Sequence, residues 1–163
     1  DIAGRTVVAL DERPDLIKET AEALYDEFAR ESESAAFFER MVESSAKAKT
    51  VLPKTFILTV KGRFAGTCGL WRSDLMTRQD LCPWLALLYV KPEYRKRHFG
   101  ALLQKAVVEY AEKLGYEKVY LYTDLKKYYD KTGWKPFGKD LECDGTEKSL
   151  YEVETKDYGN EDK

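Results

Sequence analysis

An amphipathic segment that begins at Phe99 sets the tightest limit on the architecture of this chain. From Phe99 to Leu114, eight apolar residues follow at alternating steps of three and one, which places them on one face of an α-helix. An apolar run over 84–90, typical of a central strand covered on both faces, precedes the helix. A β-rich run over 118–122 follows it after Gly115. This order predicts a right-handed βαβ unit whose strands are parallel or nearly so.

The same patterns predict an α/β (α+β) fold around this unit. Lys61 to Arg63 separate two β-rich runs, and the glycine between them permits a short hairpin turn. The predicted strands cover residues 6–10, 55–60, 64–70, 84–90, 118–122, 134–137 and 148–153. The other predicted helices cover 14–30, a segment that starts after Ser32 or Ser34, and 125–131 with Asp124 as its cap. We expect one domain over 1–156 and a frayed polar tail over 157–163.

Charge and hydropathy exclude several classes of partner. Lys and Arg total 27 against 29 Asp and Glu, so no global positive field attracts nucleic acid. The apolar stretches are far shorter than the ~20 residues that span a bilayer, and the first ten residues lack the pattern of a signal peptide. We therefore expect a cytoplasmic protein without nucleic-acid or membrane partners. The cysteines Cys68, Cys82 and Cys143 lack the spacing of a metal site, so no metal is expected.

A short basic loop leads from the apolar run into the amphipathic helix. The first N–H groups of a helix have no intrahelical partner and lie at the positive end of its dipole, so they attract anions. Arg95, Lys96 and Arg97 add positive charge at this terminus, and Gly100 permits a ligand to approach the backbone closely. These features predict a site for a diphosphate group. Three solvated surface charges are the alternative interpretation.

Two motifs resemble those of the GNAT acetyltransferases. In that family, a strand ending in Val-x-Pro-x-x-Arg leads into the loop Arg/Gln-x-x-Gly-x-Gly/Ala. The residues that match in register are Val90, Pro92, Arg95, Gly100 and Ala101. His98 stands where the family has its first glycine, so a positive φ or a close ligand contact costs more there. The second motif, Tyr128 to Trp134, resembles Phe-Tyr-Glu-Lys-x-Gly-Phe, and the resemblance is strong over about 80–138.

The resemblance implies a GNAT-like acyl-CoA N-acyltransferase fold, with a mixed sheet of about seven strands and splayed central strands that form the cofactor cleft. It implies that acetyl-CoA is the cosubstrate and that a small-molecule or peptide amine attacks the thioester directly, without a metal. Tyr129 aligns with the general acid of the family, and Tyr128, about 100° away on a helix, is expected to pack. The implied cofactor contacts are the backbone around Leu88 and Val90 and the loop residues Arg95, Lys96, Arg97, His98, Phe99, Gly100 and Ala101. Family members often form homodimers.

Several alternatives remain open at this point. His98, the only histidine, is a catalytic base in one of them, although the phosphate end of the cofactor is remote from the thioester. A non-catalytic acyl-CoA-binding regulatory module is a second, and an interaction domain that exposes Trp71 and Trp84 is a third. The general base is not assigned. Its candidates are the acidic residues Asp74, Asp80, Glu93, Asp124 and Glu142. An acidic lining formed by Asp74, Asp80 and Glu142 would favour a cationic acceptor.

Overall fold

The computed structural model describes residues 4–125 and 127–159, and a mixed sheet of seven strands forms its centre. The strands are β1 (Arg5–Ala9), β2 (Lys54–Val60), β3 (Arg63–Trp71), β4 (Trp84–Val90), β5 (Lys118–Thr123), β6 (Lys135–Leu141) and β7 (Glu147–Glu154). The helices are α1 (Ile17–Phe28), α2 (Ala35–Lys47) and α3 (Phe99–Lys113). The strand order is β1-β2-β3-β4-β5-β7-β6, with β4 and β5 parallel and the other neighbours antiparallel. The predicted fold class is confirmed.

The helices cover both faces of the sheet. On one face, α3 buries its apolar residues, Leu103 and Val107 among them, against the central strands. On the opposite face, Leu24 of α1 and Phe38 of α2 are buried against Ile57. Full burial of such a side chain contributes roughly 1.5–3 kcal/mol, so the amphipathic pattern decides which face of each helix meets the sheet. In the described part of the chain, no helix is both long enough and apolar enough to cross a membrane.

Local sequence signals set the ends of two helices. Ser34 caps α2, since its Oγ accepts a hydrogen bond from the Phe37 N–H at 3.1 Å. Gly115 follows α3 with a φ of 93°, a left-handed conformation that glycine adopts without strain. Both signals depend on residue type and position along the chain, which is why the sequence alone located them.

The predicted helix over 125–131 is wrong. Tyr129–Thr132 form one turn of 3-10 helix, and Lys126 lies outside the described residues. Lys127 has a φ of 62°, a conformation that an uninterrupted α-helix excludes. The second family motif is therefore held by a short turn after β5 rather than by a regular helix.

Strands β4 and β5 diverge after a single registered pair. Trp84 lies opposite Tyr120, and residues 85–90 of β4 have no registered partner on β5. The register of β4 with β3 also shifts within this segment, where Leu87 has a φ of 55°. Such a bulge bends a strand and increases its local twist. The splayed central strands implied by the family resemblance are confirmed, and we call the space between them the gap.

The burial of β4 decreases along the strand toward the gap. The first three residues, 84–86, are buried, whereas residues 87–90 are half-buried. The sequence predicted a strand covered on both faces, and this holds only for the part that lies next to β5. The apolar residues beyond that point border a space into which a ligand can fit.

The C-terminal residues pack more closely than the sequence predicted. Thr155–Asp157 form a 3-10 turn, and the Tyr158 ring lies edge-on to Trp134 with centroids 6.3 Å apart. The tail expected over 157–163 therefore does not fray from Asp157 onward. Residues 160–163 lie outside the described part of the chain.

Candidate active site

The N-terminus of α3 presents backbone N–H groups next to the gap. The carbonyl of His98, the residue before the helix, accepts the first helical hydrogen bond from the Leu102 N–H at 3.3 Å. The N–H groups of Phe99, Gly100 and Ala101 precede this bond and have no partner within the helix. The His98 side chain makes no capping hydrogen bond. An anion at this terminus would meet hydrogen-bond donors and the positive end of the helix dipole together.

His98 adopts a left-handed conformation, with φ of 63° and ψ of 19°. Lys96, two residues earlier, is also left-handed, with a φ of 64°. This conformation costs a residue with a Cβ roughly 1–2 kcal/mol, and glycine avoids most of that cost. The loop therefore needs a positive φ where the family motif has glycine. His98 adopts this positive φ despite the strain, so the loop has the backbone conformation that the family motif requires.

Replacing His98 with glycine should raise the free energy of unfolding by about 1 kcal/mol, because the strain at the positive φ is removed. Urea denaturation at pH 7 measures this difference. Arg97→Gly is a matched control from the same loop, since Arg97 is not among the residues with a positive φ. We expect the control to leave the free energy of unfolding unchanged or to lower it. Equal stabilisation by both changes would show that His98 is not strained.

The basic residues of the loop divide into two groups. Lys96 and Arg97 are exposed, and neither forms an ion pair with a carboxylate among the described residues. Arg95 is engaged elsewhere: its Nε donates a hydrogen bond to the Val90 carbonyl at 2.8 Å, and its Nη2 lies 3.9 Å from Glu27 of α1. Sequence reasoning treated the three cations alike. The structure leaves Lys96 and Arg97 available to a phosphate and ties Arg95 to the end of β4.

Gly100 leaves a small cradle between α3 and the gap. A Cβ at this position would lie 3.0 Å from the Tyr128 hydroxyl oxygen and 4.0 Å from Cγ2 of Val90. The neighbouring Phe99 side chain is buried and stacks on Tyr94, with ring centroids 5.9 Å apart, so only its backbone is available to a ligand. A side chain at residue 100 would fill the cradle, whereas glycine keeps the unpaired N–H groups accessible.

Leu88 and Val90 belong to the part of β4 that borders the gap. The Lys91 N–H donates to the Ala65 carbonyl of β3 at 2.8 Å. Successive residues of an antiparallel strand direct their polar groups to opposite sides, so those of Val90 face the β5 side. Leu88 lies at the bulge, where the register of β4 with β3 shifts. The Val90 carbonyl accepts its hydrogen bond from Arg95, which leaves the Val90 N–H directed at the gap. The cofactor contacts that the family resemblance implied for both residues stay a prediction.

The two tyrosines of the second motif lie in different surroundings. Tyr129 is 6% exposed and packs against Trp134 and Tyr151, with ring centroids 6.1 Å and 6.0 Å away. Tyr128 is 39% exposed, and its hydroxyl borders the cradle at Gly100. The prediction that Tyr128 is the packed member of the pair is wrong. Tyr128 borders the N-terminus of α3 at Gly100, and Tyr129 lies in the core beneath α3.

The Tyr129 hydroxyl has no hydrogen-bond partner among the described residues. Burial raises the pKa of Tyr129 above its ordinary value, and the nearby Cys68 thiol raises it further. Cys68 belongs to β3 beneath the bulge, with its Sγ 3.9 Å from the Ala86 carbonyl. Tyr129 is therefore protonated at neutral pH and close to the point where β4 leaves β5. The raised pKa makes it a weaker proton donor than a free phenol.

Four of the five candidate bases are ion-paired. The pairs are Asp80 with Arg78 at 2.9 Å, Glu93 with Lys91 at 3.3 Å, Asp124 with Lys148 at 2.7 Å and Glu142 with Arg30 at 3.0 Å. Asp74 is half-buried and has no ion pair or hydrogen bond with a described residue. Burial and then the charge of Glu142 raise the pKa of Asp74 to about 8, against an opposing effect of Arg30. The acidic lining is thus reduced to Asp74 and Glu142, because Asp80 is exposed and bound to Arg78.

A groove of about 800 Å³ adjoins the α3 N-terminus at His98 and Ala101. Lys105, Lys131 and Lys135 line it as well, and carboxylates of β7 form another part of its wall. The groove therefore carries charges of both signs, and Lys105 is paired with Glu109 on α3. Sequence reasoning missed these lysines because α3, the 3-10 turn and β6 bring them together only in the folded chain.

A model of the acetyltransferase (GNAT) family matches residues 17–134, which extend from α1 to the end of the second motif. The chain belongs to the GNAT acetyltransferase family. The family predicted from the two motifs is therefore confirmed. No curated protein sequence matches this GNAT acetyltransferase significantly.

Solved structures of low sequence identity share the fold of this GNAT acetyltransferase. An aminoglycoside 6′-N-acetyltransferase complexed with coenzyme A has a TM-score of 0.74 at 15% identity, over 92% of this chain and 97% of that one. A Salmonella typhimurium protein solved with its cofactor acetyl-CoA has a TM-score of 0.72 at 9% identity, over 96% of both chains. A spermidine N-acetyltransferase chimera, partly from Vibrio cholerae, has a TM-score of 0.67 at 15% identity, over 97% and 99%.

Two further features of the GNAT domain bear on the alternatives. Trp84 is buried and Trp71 is half-buried, so the expectation of an interaction surface built on exposed Trp71 and Trp84 is wrong. Across residues 4–125 and 127–159, no group of three or more His, Cys, Asp or Glu side chains is arranged to hold a metal ion.

Proposed function

We propose that this GNAT protein transfers the acetyl group of acetyl-CoA to a primary amine. The observation that carries the proposal is the position of an unpaired helix N-terminus beside the gap, with Gly100 between them. A helix N-terminus suits a diphosphate, and an unpaired strand edge suits an extended chain that forms backbone hydrogen bonds. Acetyl-CoA contains both parts, so one ligand satisfies both features.

The residues that would hold acetyl-CoA fall into two sets. The N–H groups of the α3 N-terminus would bind the diphosphate, and Lys96 and Arg97 would add charge. Leu88 and Val90 would bind the amide groups of the pantetheine arm through the gap-facing side of β4. Arg95 would act by fastening the loop to the Val90 carbonyl. The remaining proposed backbone contacts are those of His98, Phe99, Gly100 and Ala101.

Acetyl-CoA supplies an acyl group that is activated as a thioester. A backbone N–H of Leu88 or Val90 would donate a hydrogen bond to the thioester oxygen and stabilise the negative charge that develops there. The Tyr129 hydroxyl would give its proton to the departing sulfur, since burial keeps it protonated at neutral pH. These are the atoms at which the chain's own residues would assist the transfer.

A small-molecule amine is the acceptor that we favour. Two of the structural relatives carry the names of small amines, an aminoglycoside and spermidine. Asp74 has no paired cation among the described residues, whereas Glu142 is paired with Arg30, so a protonated amine would supply the cation that Asp74 lacks. A peptide amine is the other acceptor class to test.

Calorimetric titration of acetyl-CoA and CoA into the purified protein tests the first half of the proposal without a known acceptor. We expect saturable 1:1 binding of both ligands. Absence of binding at millimolar ligand would overturn the assignment of the α3 N-terminus and the gap as a cofactor site.

An acceptor screen tests the second half. Spermidine, an aminoglycoside, a peptide with a free N-terminus and a lysine peptide are incubated with acetyl-CoA, and release of the CoA thiol is measured. We expect turnover with at least one amine. Tight acetyl-CoA binding without turnover on any amine would instead favour the non-catalytic acyl-CoA-binding module.

A further inference from the structure

One face of α3 meets both ends of the second motif. Gly100 and Gln104 share this face, since residues four positions apart lie one turn apart on the same side of a helix. The Tyr128 hydroxyl oxygen approaches Gly100, where a Cβ would lie 3.0 Å from it. One turn later, the Nε1–H of Trp134 donates a hydrogen bond to Oε1 of Gln104 at 2.9 Å. The segment that carries Tyr129 is therefore in contact with α3 at its beginning and at its end.

The hydrogen bond between Gln104 and Trp134 is buried, and it leaves half of the amide unpaired. An indole N–H is only a donor, so the amide atom that faces it is the carbonyl oxygen. The Tyr158 hydroxyl is a second, longer donor to the same oxygen, at 3.5 Å. The Gln104 Nε2 is buried without a hydrogen-bond partner among the described residues. Burial of an unpaired N–H costs free energy, so an apolar side chain would fill this position at lower cost. The amide at residue 104 thus points to a role for its oxygen.

Ring packing decides the direction of the Tyr129 hydroxyl. Within the part of the chain that the structure describes, this hydroxyl has no hydrogen-bond partner that could orient it. Three aromatic rings surround the Tyr129 ring, those of Tyr128, Tyr151 and Trp134, with centroids 4.8 Å, 6.0 Å and 6.1 Å away. Tyr128 is 39% exposed and free to adjust, whereas Tyr151 and Trp134 are buried. The position of the hydroxyl therefore depends on the two buried rings.

The orientation of the Trp134 ring depends on Gln104. The terminal torsion of a tryptophan side chain has no sharp staggered minima, so packing and hydrogen bonds select its value. The Trp134 backbone N–H and the Thr132 hydroxyl donate to the Tyr129 carbonyl at 3.2 Å and 3.1 Å, and these two bonds fix the main chain of Tyr129. The bond from the indole to Gln104 fixes the ring that packs edge-on against the Tyr129 ring. Main chain and ring are thus fastened by separate contacts.

We propose that Gln104 is a positioning residue that directs the Tyr129 hydroxyl toward the cosubstrate sulfur through the Trp134 ring. This inference rests on the proposed function, in which Tyr129 gives its proton to the departing sulfur. The phenolic O–H bond breaks as the sulfur–hydrogen bond forms, and Tyr129 regains through solvent the proton that the new amide releases. Such a transfer requires hydrogen-bond reach, and a displacement of about 1 Å can cost roughly 100-fold in rate. Gln104 is fully buried, so it acts through its neighbours and not on a ligand.

Gln104→Met tests the proposal, since it removes the acceptor oxygen and keeps a side chain of similar length. We expect it to fold, because losing the bond to Trp134 and removing the unpaired Nε2 have opposite effects on stability. With the best amine of the acceptor panel, kcat should fall roughly 10-fold, whereas KM for the amine and Kd for acetyl-CoA should stay within about twofold of the wild-type values. Leu103→Met is the matched control at the neighbouring buried position of α3. It conserves volume and removes no hydrogen bond, so it should keep the wild-type kcat.

The same substitution in a Tyr129→Phe background separates positioning from general support of the fold. Without the hydroxyl there is nothing left to position, so the double variant should have the kcat of Tyr129→Phe alone, within about twofold. If Gln104 only maintained the shape of the site, the two effects would be independent and would multiply. The double variant would then lose about a further 10-fold in kcat, and this result would overturn the inference.

Hydrogen exchange of the Trp134 indole gives a readout that does not depend on turnover. Its N–H signal in the NMR spectrum of isotope-labelled protein is identified by its absence from Trp134→Phe. Because the bond to Gln104 protects this N–H, its exchange with deuterated water should be about 10-fold faster in Gln104→Met than in the wild type and in Leu103→Met. Equal exchange in all three proteins would show that Gln104 does not fix the indole, and the proposal would fall.

The kinetic outcomes distinguish this inference from the proposed function. Wild-type kcat in Gln104→Met would remove Gln104 as a positioning residue and leave the proposed function standing. A raised KM or Kd with an unchanged kcat would also overturn the inference, because the residue would then support binding. A wild-type protein that binds acetyl-CoA but acetylates no amine would remove the proposed function and this inference together.

Discussion

Replacing Gly100 with valine should raise the Kd for acetyl-CoA by about 100-fold, which corresponds to about 2.7 kcal/mol of lost binding free energy. The first atom of any side chain there already lies 3.0 Å from the Tyr128 hydroxyl oxygen. The two methyl groups of valine would extend past it into the cradle and cover the unpaired N–H groups of the α3 N-terminus. Calorimetric titration of acetyl-CoA measures the change.

Gly100→Ala is the matched control for this substitution. Its single Cβ requires only a small movement of the Tyr128 ring, which is half-exposed and free to adjust, so we expect a weaker loss of affinity. Both variants should stay folded, because residue 100 lies in the first turn of α3 and alanine and valine are better helix formers than glycine. Wild-type affinity in the valine variant would contradict the assignment of this terminus as the diphosphate site.

Replacing Tyr129 with phenylalanine should lower kcat roughly 100-fold and leave the Kd for acetyl-CoA nearly unchanged. The hydroxyl is the proposed proton donor to the departing sulfur, and phenylalanine removes it while keeping the ring. The ring contacts with Trp134 and Tyr151 are preserved. Since the hydroxyl has no partner among the described residues, we expect the free energy of unfolding to change by less than about 0.5 kcal/mol. Steady-state kinetics with the best amine of the acceptor panel, together with urea denaturation, measure both quantities.

Tyr128→Phe is the matched control for the Tyr129→Phe substitution. The Tyr128 hydroxyl borders the cradle at Gly100, so its removal should alter the Kd for acetyl-CoA modestly and leave kcat close to the wild-type value. An unchanged kcat in the Tyr129 variant would exclude Tyr129 as the acid. A large loss of kcat in the Tyr128 variant instead would transfer the role to Tyr128.

The family assignment depended on residues that lie close together in the chain. The motif from Val90 to Ala101 joins a strand, a loop and a helix, and each part is specified by local features. His98 is an example of such a local feature. The loop requires a positive φ at this position, and the requirement comes from the loop itself rather than from distant residues. The same applies to the Ser34 cap of α2 and to Gly115 after α3. Family membership was therefore within reach of the sequence.

The features that the sequence did not predict share a physical cause. The Arg95 side chain is held by the nearby Val90 carbonyl and also lies 3.9 Å from Glu27 of α1, which is far away in the sequence. The helix expected after β5 is interrupted at Lys127, and the 3-10 turn that follows packs Tyr129 into the core. A local sequence pattern predicts neither the Arg95 contacts nor the turn at Lys127, because contacts between distant segments contribute to both.

By itself, the sequence determined the secondary structure of the βαβ unit, the seven strands and the family, because hydrophobic period, capping residues and motif spacing are local properties. Only the tertiary structure decided where β4 leaves β5, which tyrosine is buried, and which acidic residue lacks a cation. Asp74 illustrates the difference. The sequence does not distinguish Asp74 from the other four acidic candidates. In the folded chain Arg30 forms an ion pair with Glu142, and Asp74 has no ion pair with a described residue. Ion pairs and burial are set by distances between segments, and only packing fixes those distances.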